Sequence, residues 1–113
     1  MKKVVFFGNR VELPSGRHLD FEFEVAEVLD MGDLLVVRLE IPSGVVMNRN
    51  VFGISDEDGQ ILWQVPDRDL VYHDSPYTGL RRVGEMVALC NWDGLELRVD
   101  PRTGSVLEES YGR

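Results

Sequence analysis

Cysteine is almost absent from this 113-residue chain: Cys90 stands alone, so no internal disulfide can form. That accords with a reducing compartment. Histidine is scarce too. His18 and His73 are the only two, and no metal-binding side chains stand in pairs at short spacing, so neither a zinc site nor another metal is expected. Long apolar runs are missing, and no stretch approaches the roughly 20 residues of a membrane-spanning helix. The opening Met1-Lys2-Lys3-Val4-Val5-Phe6-Phe7 puts two lysines before apolar residues, but Gly8-Asn9-Arg10 ends the run. A signal-peptide core needs about 7–15 apolar residues and a small-residue cleavage site. The segment therefore reads as a first strand, and the expected location is the cytoplasm. Positive charge is in deficit, with 12 Lys and Arg against 20 Asp and Glu, a formal net charge of −8. Such a field repels phosphate backbones, so neither nucleic acid nor an anionic membrane is an expected partner, while basic proteins are attracted.

Helical periodicity is lacking as well, and period-2 patterns take its place. Leu19, Phe21, Phe23 and Val25 alternate with Asp20, Glu22 and Glu24, as in a half-buried antiparallel strand. The alternation slips at Ala26-Glu27-Val28, where a β-bulge is expected. Leu35, Val37, Leu39 and Ile41 form the next face, opposite Val36, Arg38 and Glu40. Further strands are expected over 51–55, 60–65, 85–92, 95–100 and 105–109. Residues 66–84, with Pro66, Pro76 and Gly79, read as a long connection holding one short strand at 70–73.

The turns carry more information. Leu13-Pro14-Ser15-Gly16, Ile41-Pro42-Ser43-Gly44, Asp56-Glu57-Asp58-Gly59 and Asp100-Pro101-Arg102-Thr103-Gly104 all end a strand. Each begins with a Pro or Asp that favours a type I turn and closes with a Gly able to take positive φ, a hairpin signal. Asp93-Gly94 suits a two-residue type I′ turn. The segment from Ile54 to Leu62 aligns with that from Val99 to Leu107 at a constant offset of 45. Phe52 then falls on Leu97 and Asn48 on Asp93. A second echo relates Arg10–Gly16 to Arg38–Gly44. The expected fold is an all-β single domain over residues 1–113: an antiparallel meander of repeated hairpins, barrel-like or a two-sheet sandwich.

The two copies resemble blades of the pyrroloquinoline-quinone-type β-propeller repeat, which carries Asp-x-x-Thr-Gly-x-x-x-Trp across its last hairpin. Asp100, Thr103 and Gly104 match in the second copy, with Glu108 at the Trp position. Gly59 and Trp63 match in the first, with Ser55 and Asp58 in place of Asp and Thr. The resemblance implies consecutive antiparallel hairpins, one of them braced by a Trp. A propeller takes about 4–8 four-stranded blades, and this chain offers strands for about two. It cannot close a ring alone, so a barrel, a two-sheet arrangement or oligomerisation would have to complete it. No quinone-binding residues carry over, and no cofactor is expected.

No catalytic constellation emerges. His73, Asp74 and Ser75 are adjacent and cannot face one another as a triad requires. Asp56–Gly59 has the opening of a calcium loop without its closing Glu, and Gln60 returns to a strand. Cys90 shares a period-2 face with Met86, Ala88 and Trp92 and reads as a small apolar residue of the core. What remains is surface. Asp20, Glu22 and Glu24, with Glu27 nearby, form an acidic row able to dock an Arg- or Lys-rich partner, unless cross-strand arginines such as Arg38 neutralise it. Tyr72, His73, Tyr77 and Trp92 add candidate contact residues near strand ends. The expected function is a small acidic protein-interaction module for a basic partner, of the kind that inhibits a toxin or nuclease domain. The alternatives are a self-assembling β-repeat protein forming homo-oligomers and a small-ligand binder with 66–84 as a lid.

Overall fold

The structure, a computed structural model, describes residues 4–68 and 74–111. These form eleven strands and no helix: β1 (Val5–Phe7), β2 (Arg10–Glu12), β3 (His18–Asp20), β4 (Glu24–Asp30), β5 (Leu34–Glu40), β6 (Val51–Ser55), β7 (Ile61–Gln64), β8 (Tyr77–Val83), β9 (Met86–Asn91), β10 (Leu95–Val99) and β11 (Val106–Tyr111). Each strand pairs antiparallel with its sequence neighbour, in three sheets ordered β1-β2-β3, β4-β5-β6-β7 and β8-β9-β10-β11. The sheets stack face to face as in a sandwich, and the described residues close no barrel.

The middle sheet is apolar on both faces, which explains its composition. Within β5, Leu34 and Val36 pack with Trp63, Leu89, Leu97 and Val99 against the third sheet. Leu35, Val37 and Leu39 pack with Val11, Phe21, Val25 and Ile54 against the first. Reading β5 as one apolar and one polar face therefore fails at Val36, which is fully buried: a strand covered on both sides reads as a continuous apolar run. Conversely, in β9 the core face is Val87, Leu89 and Asn91, while Cys90 lies half-buried on the outer face. Nor is 19–25 one strand. β3 stops at Asp20 and β4 starts at Glu24, because the chain crosses between sheets here. The bulge after Val25 is present, as a register shift between Val25 and Glu27.

The 45-residue repeat is structural. Register shifts fall between Gly53 and Ile54 in one copy and between Arg98 and Val99 in the other. Ser55 N donates to Gln60 O as Asp100 N does to Ser105 O, and Gly59 N donates to Ser55 O as Gly104 N does to Asp100 O. The second echo is not structural. Pro14–Gly16 joins β2 to β3, whereas Pro42–Gly44 opens a ten-residue connection at the other end of the stack, from 41 to 50. The Asp93-Gly94 turn also differs from expectation. Among the described residues no non-Gly residue has positive φ, so type I′ is excluded, and Trp92-Asp93-Gly94 forms a three-residue loop with Gly94 at φ 97°. Residues 77–83, read as connection, form β8. A bulge at Gly79 and the adjacent Arg81-Arg82 obscure its alternation.

One side chain locks the middle sheet to the third. The Trp63 indole lies over Gly53 of its own sheet and Gly104 of the next, and its Nε1 donates to Pro101 O at 2.7 Å. A Cβ on Gly104 would sit 2.7 Å from the indole, and one on Gly53 would overlap it outright. The first sheet docks on the middle one with smaller groups: Leu13 and Leu19 abut Gly59, and Ser15 Oγ donates to Glu57 O at 2.8 Å. Gly53→Ala is expected to cost about 1–3 kcal/mol by overpacking, and Trp63→Ala about 3–5 kcal/mol. Urea unfolding measures both, and an unchanged midpoint for Gly53→Ala would contradict the slot.

Candidate functional site

Connections in this meander alternate between two ends of the stack. The repeated glycine turns (13–17, 56–60 and 100–105) share one end, where Arg102 also meets Asp33 at 2.7 Å. The irregular connections (21–23, 41–50 and 92–94), with the described residues 65–68 and 74–76, share the other. Loops without a ladder must satisfy their backbone groups elsewhere, and here buried amides do so. Asn50 Nδ2 donates to Leu39 O and Tyr77 O, both at 2.9 Å, and its Oδ1 accepts Tyr77 N at 2.9 Å. Asn48 Oδ1 accepts Ser75 N at 2.8 Å. Asn91 Nδ2 donates to Ser75 O at 2.8 Å, and its Oδ1 accepts from Ser75 Oγ and from Asp93 N. Trp92 N donates to Pro76 O at 3.0 Å. Three separate connections are thereby held as one platform.

A groove crosses this platform on both sides of the Ile41–Ser43 loop. One side is a cavity of about 400 Å³ whose walls include Glu40, Pro42, Asp74, Pro76 and Trp92. The other, of about 540 Å³, is bounded by Glu22, Phe23, Glu24 and Glu40. The described lining residues include four carboxylates and no lysine or arginine. Trp92 is 59% exposed, unusual for an indole and characteristic of contact residues. A third cavity, of about 460 Å³, lies near the end of β11, but there Arg68 is paired with Glu109.

The expected acidic row is divided by the fold. Asp20 pairs with Arg10 at 2.8 Å, and this hydrogen bond holds its carboxyl below the usual carboxylate range. Glu27 Oε1 accepts Arg38 Nε at 2.6 Å and Leu80 N at 2.9 Å, so it bridges the middle and third sheets. Glu22 and Glu24 remain exposed on the groove, together with Trp92. Tyr77 is corrected from contact residue to core: it is 2% exposed. Tyr72, His73 and the strand expected at 70–73 lie outside the described residues. With β8 over 77–83, the C-terminal part of the supposed lid is sheet. Glu40, at the end of β5, and Pro42, Asp74 and Pro76, from loops, were missed because only the strand order reveals their proximity. Burial, with Glu96 nearby, pushes the Cys90 thiol up, which keeps it protonated. Among the described residues no three His, Cys, Asp or Glu side chains are placed to hold a metal ion.

A family described as a domain of unknown function (DUF7957) matches residues 1–111. The chain belongs to this family. No curated protein matches it. Among solved structures it is similar to BamB from Moraxella catarrhalis, a β-propeller-type protein, with a TM-score of 0.69 and 16% identity over 96% of this chain and 33% of that one. It is also similar to the computationally designed Ika8 protein, with a TM-score of 0.62 and 19% identity over 97% of this chain and 36% of that one. The chain thus spans about a third of each neighbour. At these identities the likeness shows a propeller-like β fold alone. The family match does not involve a quinone-binding family.

Beneath the platform, the Tyr77 hydroxyl is buried with no hydrogen-bond partner among the described residues, and burial pushes its pKa up to about 12. An unfolded tyrosine titrates near 10. Between these values the unfolded chain loses a proton that the folded one keeps, so this contribution to stability is complete below pH about 10 and is lost as pH rises through about 12. Tyr77→Phe removes the unpaired hydroxyl. It is expected to raise stability by about 1 kcal/mol at neutral pH and to flatten the alkaline fall, as followed by urea unfolding from neutral pH to pH about 11.

Proposed function

We propose that this family member is a protein-interaction module that captures a basic polypeptide through the groove beside the Ile41–Ser43 loop. The observation that carries the reading is the groove's lining: Glu40 and Asp74 flank the exposed indole on one side of the loop and Glu22, Glu24 and Glu40 line the other, with no basic residue among those described. Carboxylates give long-range attraction and speed association. Trp92, Phe23 and the two prolines supply rigid apolar surface on which the stem of a Lys or Arg can lie, and the indole face attracts the cation itself. The net charge of −8 extends that attraction beyond the groove. The buried amides keep the walls in place before binding, which lowers the entropy cost of association.

Self-assembly into a ring by stacking of the end sheets has less support. The outer face of β8–β11 carries a ladder of charges: Arg81 to Glu96 at 3.1 Å, Arg98 to Glu96 at 3.0 Å and Arg98 to Glu108 at 3.8 Å. A polar outer face is typical of a terminal repeat that does not stack further. The test is a tagged pull-down at low and high salt from cells that make the protein. Recovery of a basic protein lost at high salt is the expected result. Glu22→Lys with Glu24→Lys should weaken its capture about tenfold or more, and Trp92→Ala should do the same with less salt dependence. All three positions are exposed, so folding is expected to be unchanged. Equal capture by wild type and the charge-reversed protein at low salt would refute the groove.

A further inference from the structure

Among the described residues the first sheet is one strand short of the other two. The other two each hold four strands, starting at β4 and β8, whereas the first starts at β1. The docking contacts fix the correspondence. The β2–β3 turn meets the β6–β7 turn through Ser15 and Glu57, so β2 and β3 match β6 and β7, and β1 matches β5. The position that β4 fills beside β5, and β8 beside β9, is therefore unfilled along β1 among the described residues. Phe7 pairs with Arg10 across the two-residue Gly8-Asn9 turn, and Val5 pairs with Glu12. Ladder alternation then turns the N–H and C=O of Phe6 toward that open side. The edge is apolar, with Val5, Phe6 and Phe7 at 42%, 39% and 56% exposure. Such an edge is a template for another strand.

The open position also leads toward the acidic groove. Gly8 O accepts Val25 N and Asn9 O accepts Phe21 N, both at 2.8 Å, so the end of β1 lies against the segment bearing Glu22 and Glu24. We propose that β1 accepts, as the fourth strand of the first sheet, an extended Lys- or Arg-bearing segment of the basic partner. The proposal rests on the reading of the groove given above and adds how the partner is held: by backbone pairing. The incoming strand runs antiparallel to β1, as β4 does to β5. One set of alternate side chains covers the apolar margin near Phe21 and Val25, and the other carries the cations. Charge selects this occupant over a second copy, because two copies each bring −8 to the contact.

The test uses the full chain and an alternating Lys-Val peptide, plain or N-methylated on alternate residues so that it keeps its charge and loses its donors. Binding of the plain peptide is expected at low salt, with the N-methylated one about threefold to tenfold weaker, as the loss of the hydrogen bond to Phe6 O implies. Phe6→Pro removes the outward N–H and leaves the β1–β2 ladder intact. It should weaken the plain peptide as much, while Phe6→Ala, which keeps the N–H, should not. If both peptides bind alike and Phe6→Pro has no effect, while Glu22→Lys with Glu24→Lys abolishes binding, strand addition is overturned and the groove stands. If neither peptide binds although a basic protein is still captured in a salt-dependent way, strand addition is again overturned alone. A dimer in sedimentation that Phe6→Pro dissolves would make the second copy the occupant and overturn the proposal.

Discussion

The docking of one indole across two sheets is the constraint on which the rest of this molecule depends. Trp63 needs bare backbone beneath it on both sides, and Gly53 and Gly104 supply it. Its hydrogen bond to Pro101 O then sets where the third sheet sits along the second. Apolar burial between sheets is roughly proportional to area and has no direction. Leu, Val and Ile could slide over one another with little loss. An indole in a two-glycine slot with one directed N–H cannot, so the offset between sheets is unique. The loops at the far end inherit that offset, and Asn50 can span from Leu39 to Tyr77 because of it.

A division of labour between the two ends of the stack follows. The glycine turns repeat, bond to themselves and bear the contacts that hold sheet on sheet. The irregular connections at the opposite end do not repeat and depend on buried amides from Asn48, Asn50 and Asn91. Regular turns leave little room for variation, because a changed turn would shift the docking. Loops held by side chains leave their outer surface unconstrained, and this is the end on which the carboxylates and the exposed Trp92 collect.

Much of the fold was legible in the sequence, and the failures have physical causes. The 45-residue offset, the glycine turns and the bulge near Ala26 follow from local chemistry: positive φ, Pro and Asp placement, and a slip in alternation. β6 was readable to the residue. Strands buried on both faces defeat a two-face reading, which is why Val36 was placed on the wrong side. β8 was hidden because the bulge at Gly79 breaks its period and Arg81 and Arg82 both lie exposed beside it. Half of the candidate site was legible, in Glu22, Glu24 and Trp92. The pairing of Asp20 with Arg10 and of Glu27 with Arg38 depends on strand register, and the burial of Tyr77 on which sheet covers it. Neither is encoded locally.

Position 108 carries a consequence of its own. It is the counterpart of Trp63 in the second copy of the repeat, and it holds a glutamate that turns back toward Arg98. Where the first copy offers an indole to a following sheet, the second offers a solvated carboxylate. One position of the repeat is therefore put to two uses, as a directed grip on the next sheet in one copy and as part of a charged outer surface in the other, and a single codon separates them.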